Sequence, residues 1–408
     1  MVKIVPSRGD ILKENIKKKK QYDRKMALLK FLKGLGISVL SLAIVFTCGI
    51  FVVNKIQTRR EIFNLSKNGF YHIINLSSNQ EINAVLHGNE NSPYTIVPIH
   101  DIGEDDFNIF MDNILSPFDK TIQYTLINRP GHGFSGDSSR SRKADVIVKE
   151  YRDTLNELGV NNKLILVANG FGGVYATLWA NEYPEQIAGI IYIGFEDYVD
   201  GFKTTEAKRD TAFNVLTCKL GFKRISNSDN IRTKSNLPDQ DSSDILISFY
   251  MHSSSTTARN NEIAAAKSNY NTVMEKNTNS TQKILVASQG GFENKEDAMK
   301  YIKFKNAQNE SLGLDPFVDM TDSKSTQQIE DLISNSKSIL EKDKISFSGK
   351  ITKIPGESRV YRQTPYAVQS LIKDFTLYVS GTTSNVKEKY KDEKAEGWEH
   401  YTKTQTER

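Results

Sequence analysis

The segment LVANGFGG, residues 166–173, is the strongest indication of the fold in this sequence. It continues an apolar run that begins at Lys163, and the whole run has the length and composition of a short buried strand. Three glycines follow between positions 170 and 173, and the next residues, VYATLWANEY, favour a helix. The sequence therefore predicts a strand, a tight turn and a helix in direct succession, with Gly170 in the turn.

Strands and helices alternate on both sides of this stretch. The predicted strands are 70–76, 81–87, 94–99, 122–128, 163–168, 187–193, 283–288 and 350–354. The predicted helices are 105–115, 144–158 ended by Gly159, 172–183, 261–274 and 365 to about 378 with Thr364 as N-cap. The first two strands are expected to pair antiparallel. Short apolar strands between helices predict an α/β fold, with a mostly parallel central sheet and helices on both faces.

The alternation breaks between about residues 198 and 281, where helical pieces and a polar stretch occur without a clear strand. We interpret this segment as an inserted helical cap. We expect five segments along the chain: a basic cytoplasmic segment at 1–33, a transmembrane helix at 34–54, a linker at 55–69, an α/β domain at 70–380 and a polar tail at 381–408.

The segment GLGISVLSLAIVFTCGIFVVN has 21 uncharged residues between Lys33 and Lys55. At about 1.5 Å per residue it can cross a hydrocarbon core of about 30 Å. A cleaved signal peptide is the alternative, but the charged leader is too long for one. Residues 1–33 carry 11 Lys/Arg against three acidic residues. This bias predicts a single-pass signal anchor with a cytoplasmic N-terminus and the α/β domain outside the cytoplasm.

Composition excludes several other classes of function. The net charge of +5 comes from the basic leader, and the remaining chain is slightly acidic, so no nucleic-acid partner is expected. Cys48 and Cys218 lie too far apart in sequence and environment for a disulfide within the chain. The six histidines are scattered and no metal-binding spacing occurs, so neither a metal nor a cofactor is predicted.

Four motifs, taken in order, resemble the α/β-hydrolase superfamily and are nearest to its membrane-anchored bacterial members. They are IHDIGEDDF (99–107) at the HG oxyanion loop, INRPGHGFSG (127–136) at the D-R-x-G-x-G-x-S motif, LVANGFGG at the G-x-S-x-G nucleophile elbow and YPEQIAGIIYIG (183–194) leading into the next strand. IPGESRVYRQTP (354–365) lies where the family usually has I-P-G-x-x-H. The resemblance covers about residues 70–378 and implies the hydrolase fold and an ester-hydrolase-like site.

The catalytic triad implied by this resemblance is degenerate. Gly170 occupies the serine position and offers no nucleophile. Arg359 occupies the histidine position, and a guanidinium stays protonated near neutral pH, so it is no general base. Glu293, or Glu196 or Asp197, could be the acid, which has no triad role without a histidine.

The remaining pocket is expected to include His100, Asp101, Ile102, Phe171 and His132. The amide of Phe171 and one near Asp101 or Ile102 would point into the former oxyanion hole, where anions or carbonyl oxygens are favoured. Asp101 replaces the usual glycine and could crowd or repel an anion. Arg359 either restores positive charge there or pairs with a nearby acid, and His132 is interpreted as a loop residue at the rim.

Three functions remain open from the sequence. The chain could be a membrane-anchored pseudohydrolase (pseudoenzyme) that binds a small acyl-type ligand or a protein partner. It could be an active esterase or lipase whose nucleophile or base comes from SSSTT (253–257) or His252. It could also be an interaction module whose pocket is filled by Phe171 and Tyr361. An open or a filled site beside Gly170 separates the first possibility from the third.

Overall fold

The computed structural model describes residues 8–195, 208–225, 240–275, 283–288, 292, 294–311, 315–346, 349–354 and 360–390. The chain divides into two compact units, Met1–Gln57 and Thr58–Arg408. Glu196, Asp197, Glu293 and Arg359, which the sequence analysis singled out, lie outside the described residues.

One long helix, α1 (Arg8–Lys67), accounts for the described part of the first unit. Its apolar segment is long and apolar enough to cross a membrane, and none of that segment is buried within the protein. The helix runs through most of residues 55–69, which the sequence analysis interpreted as a linker. It ends at Lys67, before Gly69, which has a positive φ of 74° that stops a helix.

The second unit is built on an eight-stranded sheet in the order β1-β2-β4-β3-β5-β6-β7-β8. The strands are β1 (Ile73–Asn75), β2 (Glu81–Gly88), β3 (Tyr94–Ile99), β4 (Gln123–Ile127), β5 (Lys163–Asn169), β6 (Ile187–Ile193), β7 (Lys283–Ser288) and β8 (Lys350–Lys353). The predicted antiparallel pairing of β1 with β2 is confirmed, and β2 pairs antiparallel with β4. All pairs from β3 to β8 are parallel, as the apolar strands predicted.

Helices cover both faces of the sheet. They are α2 (Phe107–Leu115), α3 (Ala144–Glu157), α4 (Gly172–Glu182), α5 (Ala212–Leu220), α6 (Gln240–Ser253), α7 (Thr257–Glu275), α8 (Lys295–Ser311), α9 (Ser325–Ser346), α10 (Val360–Gln363) and α11 (Pro365–Val379). Alternate β5 residues enter two separate cores: Leu164 and Leu166 pack with α3 and α4, whereas Ile165 and Val167 pack with α2 and α11. The alternation follows from the period of two along a strand.

Helices α5, α6 and α7 lie between β6 and β7, where the sequence predicted a helical cap. Helices α8 and α9 were not predicted, because their surfaces are mostly polar. They pack in a small core of their own around Phe292, Tyr301 and Ile329. Residues 381–390 also differ from the expected solvated tail. Tyr390 is buried, and its hydroxyl donates to Asp374 over 3.0 Å, so this part of the tail packs on the domain.

Thr364 precedes α11 as expected, with Pro365 at the first helical position. Its hydroxyl nevertheless makes no capping bond and donates instead to the Val360 carbonyl over 3.2 Å. The short helix α10 directly before it supplies this closer acceptor, so the predicted side-chain cap does not form.

Candidate functional site

The turn after β5 keeps the shape of a nucleophile elbow. Gly170 has φ +51°, a conformation that L side chains rarely adopt, and α4 starts two residues later. Gly172 is required for close packing, because a Cβ there would overlap the Ile99 carbonyl. The sequence thus retains the backbone of the elbow while the side chain at its centre is missing.

The Asp101 carboxylate occupies the space beside this turn. Its Oδ1 accepts the amide of Phe171 over 3.0 Å and the amide of Ile102 over 2.7 Å. These are the two amides that the sequence analysis assigned to the former oxyanion hole. A Cβ at Gly170 would overlap Oδ2 and Cγ of the same carboxylate. One side chain therefore takes the hydrogen bonds of an oxyanion and the place of a nucleophile.

Burial strongly affects the charge of Asp101. Burial, followed by the nearby Glu104 carboxylate, raises the pKa of Asp101 to about 7, although the two amide donors and Arg129 favour the charged form. The Asp101 proton therefore titrates near neutral pH. The sequence suggested that Asp101 could crowd the anion site. In the structure its carboxylate accepts hydrogen bonds from both amide donors, those of Phe171 and Ile102.

Arg129 connects the oxyanion loop to the cap. Its guanidinium donates to the carbonyls of His100 over 2.8 Å and Asp101 over 3.3 Å, and lies 2.8 Å from Glu262 on α7. Arg129 and Glu262 are almost completely buried. Burial alone would lower the pKa of Arg129, but the Glu262 carboxylate together with Tyr151 and Tyr175 raises the pKa above its ordinary value. A buried ion pair therefore joins cap and sheet.

His132 lies inside this network, not at a rim. It is fully buried, with Nδ1 2.8 Å from Asp105 and Nε2 3.4 Å from Glu262. Burial by itself would raise the pKa of Asp105, but the His132 charge and hydrogen bond lower it to about 2. His132 thus lies between two carboxylates from different parts of the fold.

His100 packs edge-on against His132, with ring centroids 4.8 Å apart. Its Nδ1 lies 2.7 Å from the Asp101 carbonyl, which can only accept, so Nδ1 carries a proton. Burial, then the charges of Arg129 and His132, hold the pKa of His100 well below its ordinary value.

Glu104 completes the site on the side of α10. Its Oε2 accepts from the Asn169 amide over 2.7 Å and from the Tyr361 hydroxyl over 2.8 Å. Tyr361 is fully buried and packs edge-on against Phe107. Phe171 is also fully buried. Tyr361 and Phe171 are the two side chains that the third sequence hypothesis expected to fill the pocket.

Of the cap residues proposed as an alternative nucleophile or base, Ser253, Thr256 and His252 are engaged elsewhere, whereas the buried Ser255 hydroxyl has no hydrogen-bond partner among the described residues. The Ser253 hydroxyl oxygen lies 2.9 Å from an Asp105 carboxylate oxygen and 2.8 Å from the Phe249 carbonyl oxygen, so its one proton has two acceptors, and the His252 ring stacks on Phe134. Ser253 and His132 share the Asp105 carboxylate, so the acid stands between serine and histidine. A carboxylate with a pKa of about 2 is a poor base near neutral pH.

Sequence reasoning missed Glu104, Asp105 and Glu262 in the site. A usable signal was the acidic run EDD (104–106), which precedes a strongly apolar helix and is buried in the structure. Buried carboxylates need charged or hydrogen-bonding partners. Asp106 accordingly pairs with Arg362 over 2.5 Å. No group of three or more metal-binding side chains occurs among the described residues.

Comparison with known proteins finds distant similarities. No protein-family model matches the sequence. Over 202 residues the chain is 25% identical to the uncharacterized protein YbdG of Bacillus subtilis (strain 168), covering 48% of this chain and 60% of that protein. The chain thus spans less than two thirds of that relative's length.

Solved structures with a similar fold include Cfl2 from Burkholderia cenocepacia, with 12% identity, a TM-score of 0.49 and coverage of 75% of this chain and 95% of that one. E-2-(acetamidomethylene)succinate hydrolase has 12% identity, a TM-score of 0.45 and coverage of 74% and 97%. The described chain has a mixed eight-stranded sheet, a tight strand–turn–helix at Gly170 and helices inserted between β6 and β7, an arrangement that resembles the α/β-hydrolase fold.

Proposed function

We propose that this protein is a membrane-anchored pseudohydrolase that acts by binding another protein and not by turning over an ester. The observation that carries the proposal is the double hydrogen bond from Phe171 and Ile102 to Asp101. Acyl transfer requires these donors to be free for the charge that develops on the substrate oxygen. In this protein they already hold a carboxylate.

The same contact favours a protein partner over a small acyl ligand. An acyl carbonyl would have to displace Asp101 from two amides, beside the buried side chains of Phe171 and Tyr361. A filled site supports the third sequence hypothesis, in which the domain presents surfaces and not a pocket. A hydrolase-like fold is compatible with this proposal, because function belongs to the site and not to the fold.

Anchoring is the second part of the proposal. The apolar segment of α1 supports it, and the excess of Lys/Arg before that segment supports a cytoplasmic N-terminus with the domain outside. Alkaline carbonate extraction of membranes tests the anchor, because an integral protein stays in the pellet. Protease treatment of sealed cells or spheroplasts tests the orientation, and protection of the domain would contradict the proposed topology.

The test of inactivity uses the purified full-length chain with short-chain aryl esters and a fluorophosphonate probe. We expect neither turnover nor labelling. Gly170→Ser should stay unlabelled because the new side chain would overlap the Asp101 carboxylate that fills the site, so Gly170→Ser with Asp101→Gly is the informative companion variant. Ester turnover by the natural protein above a heat-denatured control, with a labelled residue, would overturn the proposal.

A further inference from the structure

Helix α5 and the following turn carry an unusual set of exposed apolar side chains. Phe213, Leu216 and Ile225 are 71%, 53% and 64% exposed. In the described part of the 58–408 unit, exposed large hydrophobic side chains occur at only six positions, and these three fall within 13 residues. Phe213 and Leu216 lie three residues apart and so share one face of α5. We call these three residues the cap patch.

The segment that carries the cap patch is rich in basic residues, of which Lys219 pairs with Asp137 and Arg224 with Glu61. Residues 208–225 contain Lys208, Arg209, Lys219, Lys223 and Arg224 against one acidic residue, Asp210. Lys208 and Arg209 are exposed. A helix with an apolar face bordered by basic residues is typical of segments that lie in the interface of a membrane with anionic lipids.

An ion pair links the segment that carries the cap patch to the part of α1 that follows its apolar segment. Arg224 donates to both carboxylate oxygens of Glu61 over 2.6 and 2.7 Å, and to the Thr58 hydroxyl over 3.1 Å. The ion pair is largely shielded from solvent, because the two side chains are 11% and 18% exposed. A bidentate pair of this kind fixes direction as well as distance.

Chain length then limits how far this ion pair can lie from the membrane. Glu61 follows Lys55, the first charged residue after the apolar segment, by six positions. Six residues extend over at most about 20 Å, and over about 9 Å as a helix. Because residues 55–61 belong to α1, the helical length applies, and it is close to the thickness of about 5–8 Å of one polar layer of a bilayer.

We propose that the cap patch lies in the headgroup region of the membrane in which α1 is anchored. The patch would then be a second membrane contact, at the membrane interface. The inference rests on the proposed anchoring of α1. The occupant is the lipid bilayer because the basic border matches anionic headgroups and because the Arg224–Glu61 pair continues directly from the membrane-spanning helix. A protein covering the same patch is the competing outcome of the test.

The test uses the full-length chain in liposomes of phosphatidylcholine and phosphatidylglycerol, with and without bromine on the acyl chains. Phe213→Trp introduces a fluorophore whose emission bromine quenches at close range. Met320→Trp is the matched control, because Met320 is also exposed, at 45%, but lies outside the cap. The emission of the natural chain, which contains two tryptophans, is subtracted.

We expect the Phe213→Trp emission to be quenched at least about twofold more than the Met320→Trp emission, as for a side chain at the acyl boundary. Equal quenching of the two variants, in liposomes that retain the chain after carbonate, would overturn the lipid contact and leave the anchor intact. A concentration-dependent blue shift without added quenching would assign the patch to a protein contact instead. Release of the chain by carbonate would overturn both the anchor and this proposal.

Discussion

The amide of Phe171 donates to the Asp101 carboxylate, 70 positions earlier in the chain, over 3.0 Å. This contact closes the former oxyanion hole from inside the protein. It also explains why position 170 is a glycine, because any Cβ there would overlap the same carboxylate. The glycine at position 170 and the occupation of the two amide donors therefore depend on the same carboxylate.

The steric coupling between positions 170 and 101 predicts a non-additive double variant. Gly170→Ala should lower the free energy of unfolding by on the order of 2–4 kcal/mol, from backbone strain and overpacking together. Combining it with Asp101→Gly should recover part of that loss, which urea unfolding of the single and double variants would measure. Gly159→Ala is the matched control: it has a similar positive φ of 74°, but nothing lies within 4 Å of the added Cβ. Equal losses at 159 and 170 would contradict the clash.

The raised pKa of Asp101 predicts a pH-dependent contribution to stability. The native value is about 7, whereas an unfolded aspartate has about 3.8, so between these values the native state holds a proton that the unfolded state releases. The contribution is therefore full below about pH 4 and is lost as pH rises through 7. Asp101→Asn cannot titrate, so its free energy of unfolding should fall less than that of the natural protein between pH 4 and 8.

Urea unfolding at several pH values measures this difference, which should be on the order of a few kcal/mol. Asp153→Asn is the control, because Asp153 lies on the surface of α3 and pairs with Lys149. Parallel pH profiles of the natural protein and Asp101→Asn would show that Asp101 does not titrate in this range.

The buried pair Arg129–Glu262 predicts a large cost for removing one partner. Glu262→Gln leaves the Arg129 charge buried without its carboxylate, so the free energy of unfolding should fall by about 3–5 kcal/mol. The exposed pair Lys149–Asp153 gives the comparison, because Asp153→Asn should cost at most about 1 kcal/mol. Denaturant unfolding of both variants would decide the matter. A loss below that of Asp153→Asn would mean that Glu262 does not compensate Arg129.

Much of the fold could be predicted from the sequence because its signals are local. The bounds of β3, β6 and β7 agree with the apolar runs, and Gly159 ends α3 as expected. Helices α8 and α9 were missed because their apolar stripes are narrow and their core is small. The Thr364 cap failed because α10 brings a competing acceptor, the Val360 carbonyl, close to its hydroxyl.

The site was only partly predictable, because its key contacts join distant residues. Sequence motifs located Gly170, Asp101 and the two amide donors, and suggested that Asp101 could crowd the anion site. They could not indicate that Glu262, far along the chain on α7, would enter the site and meet Arg129 and His132. Such pairing depends on how the cap folds back over the sheet, which no local pattern encodes.

The ion pair between Arg224 and Glu61 predicts a charge-swap rescue. Arg224→Glu places a second carboxylate beside Glu61, which now accepts two hydrogen bonds from Arg224. Because like charges repel, the segment that carries the cap patch should lose its attachment to residues 58–61. Amide hydrogen exchange of α5 in the full-length chain should then become faster. The double variant Glu61→Arg with Arg224→Glu restores opposite charges and should slow the exchange again. If the double variant exchanges as fast as Arg224→Glu alone, the bidentate geometry and not the charge is decisive, and Arg224→Lys should then show a loss of similar size.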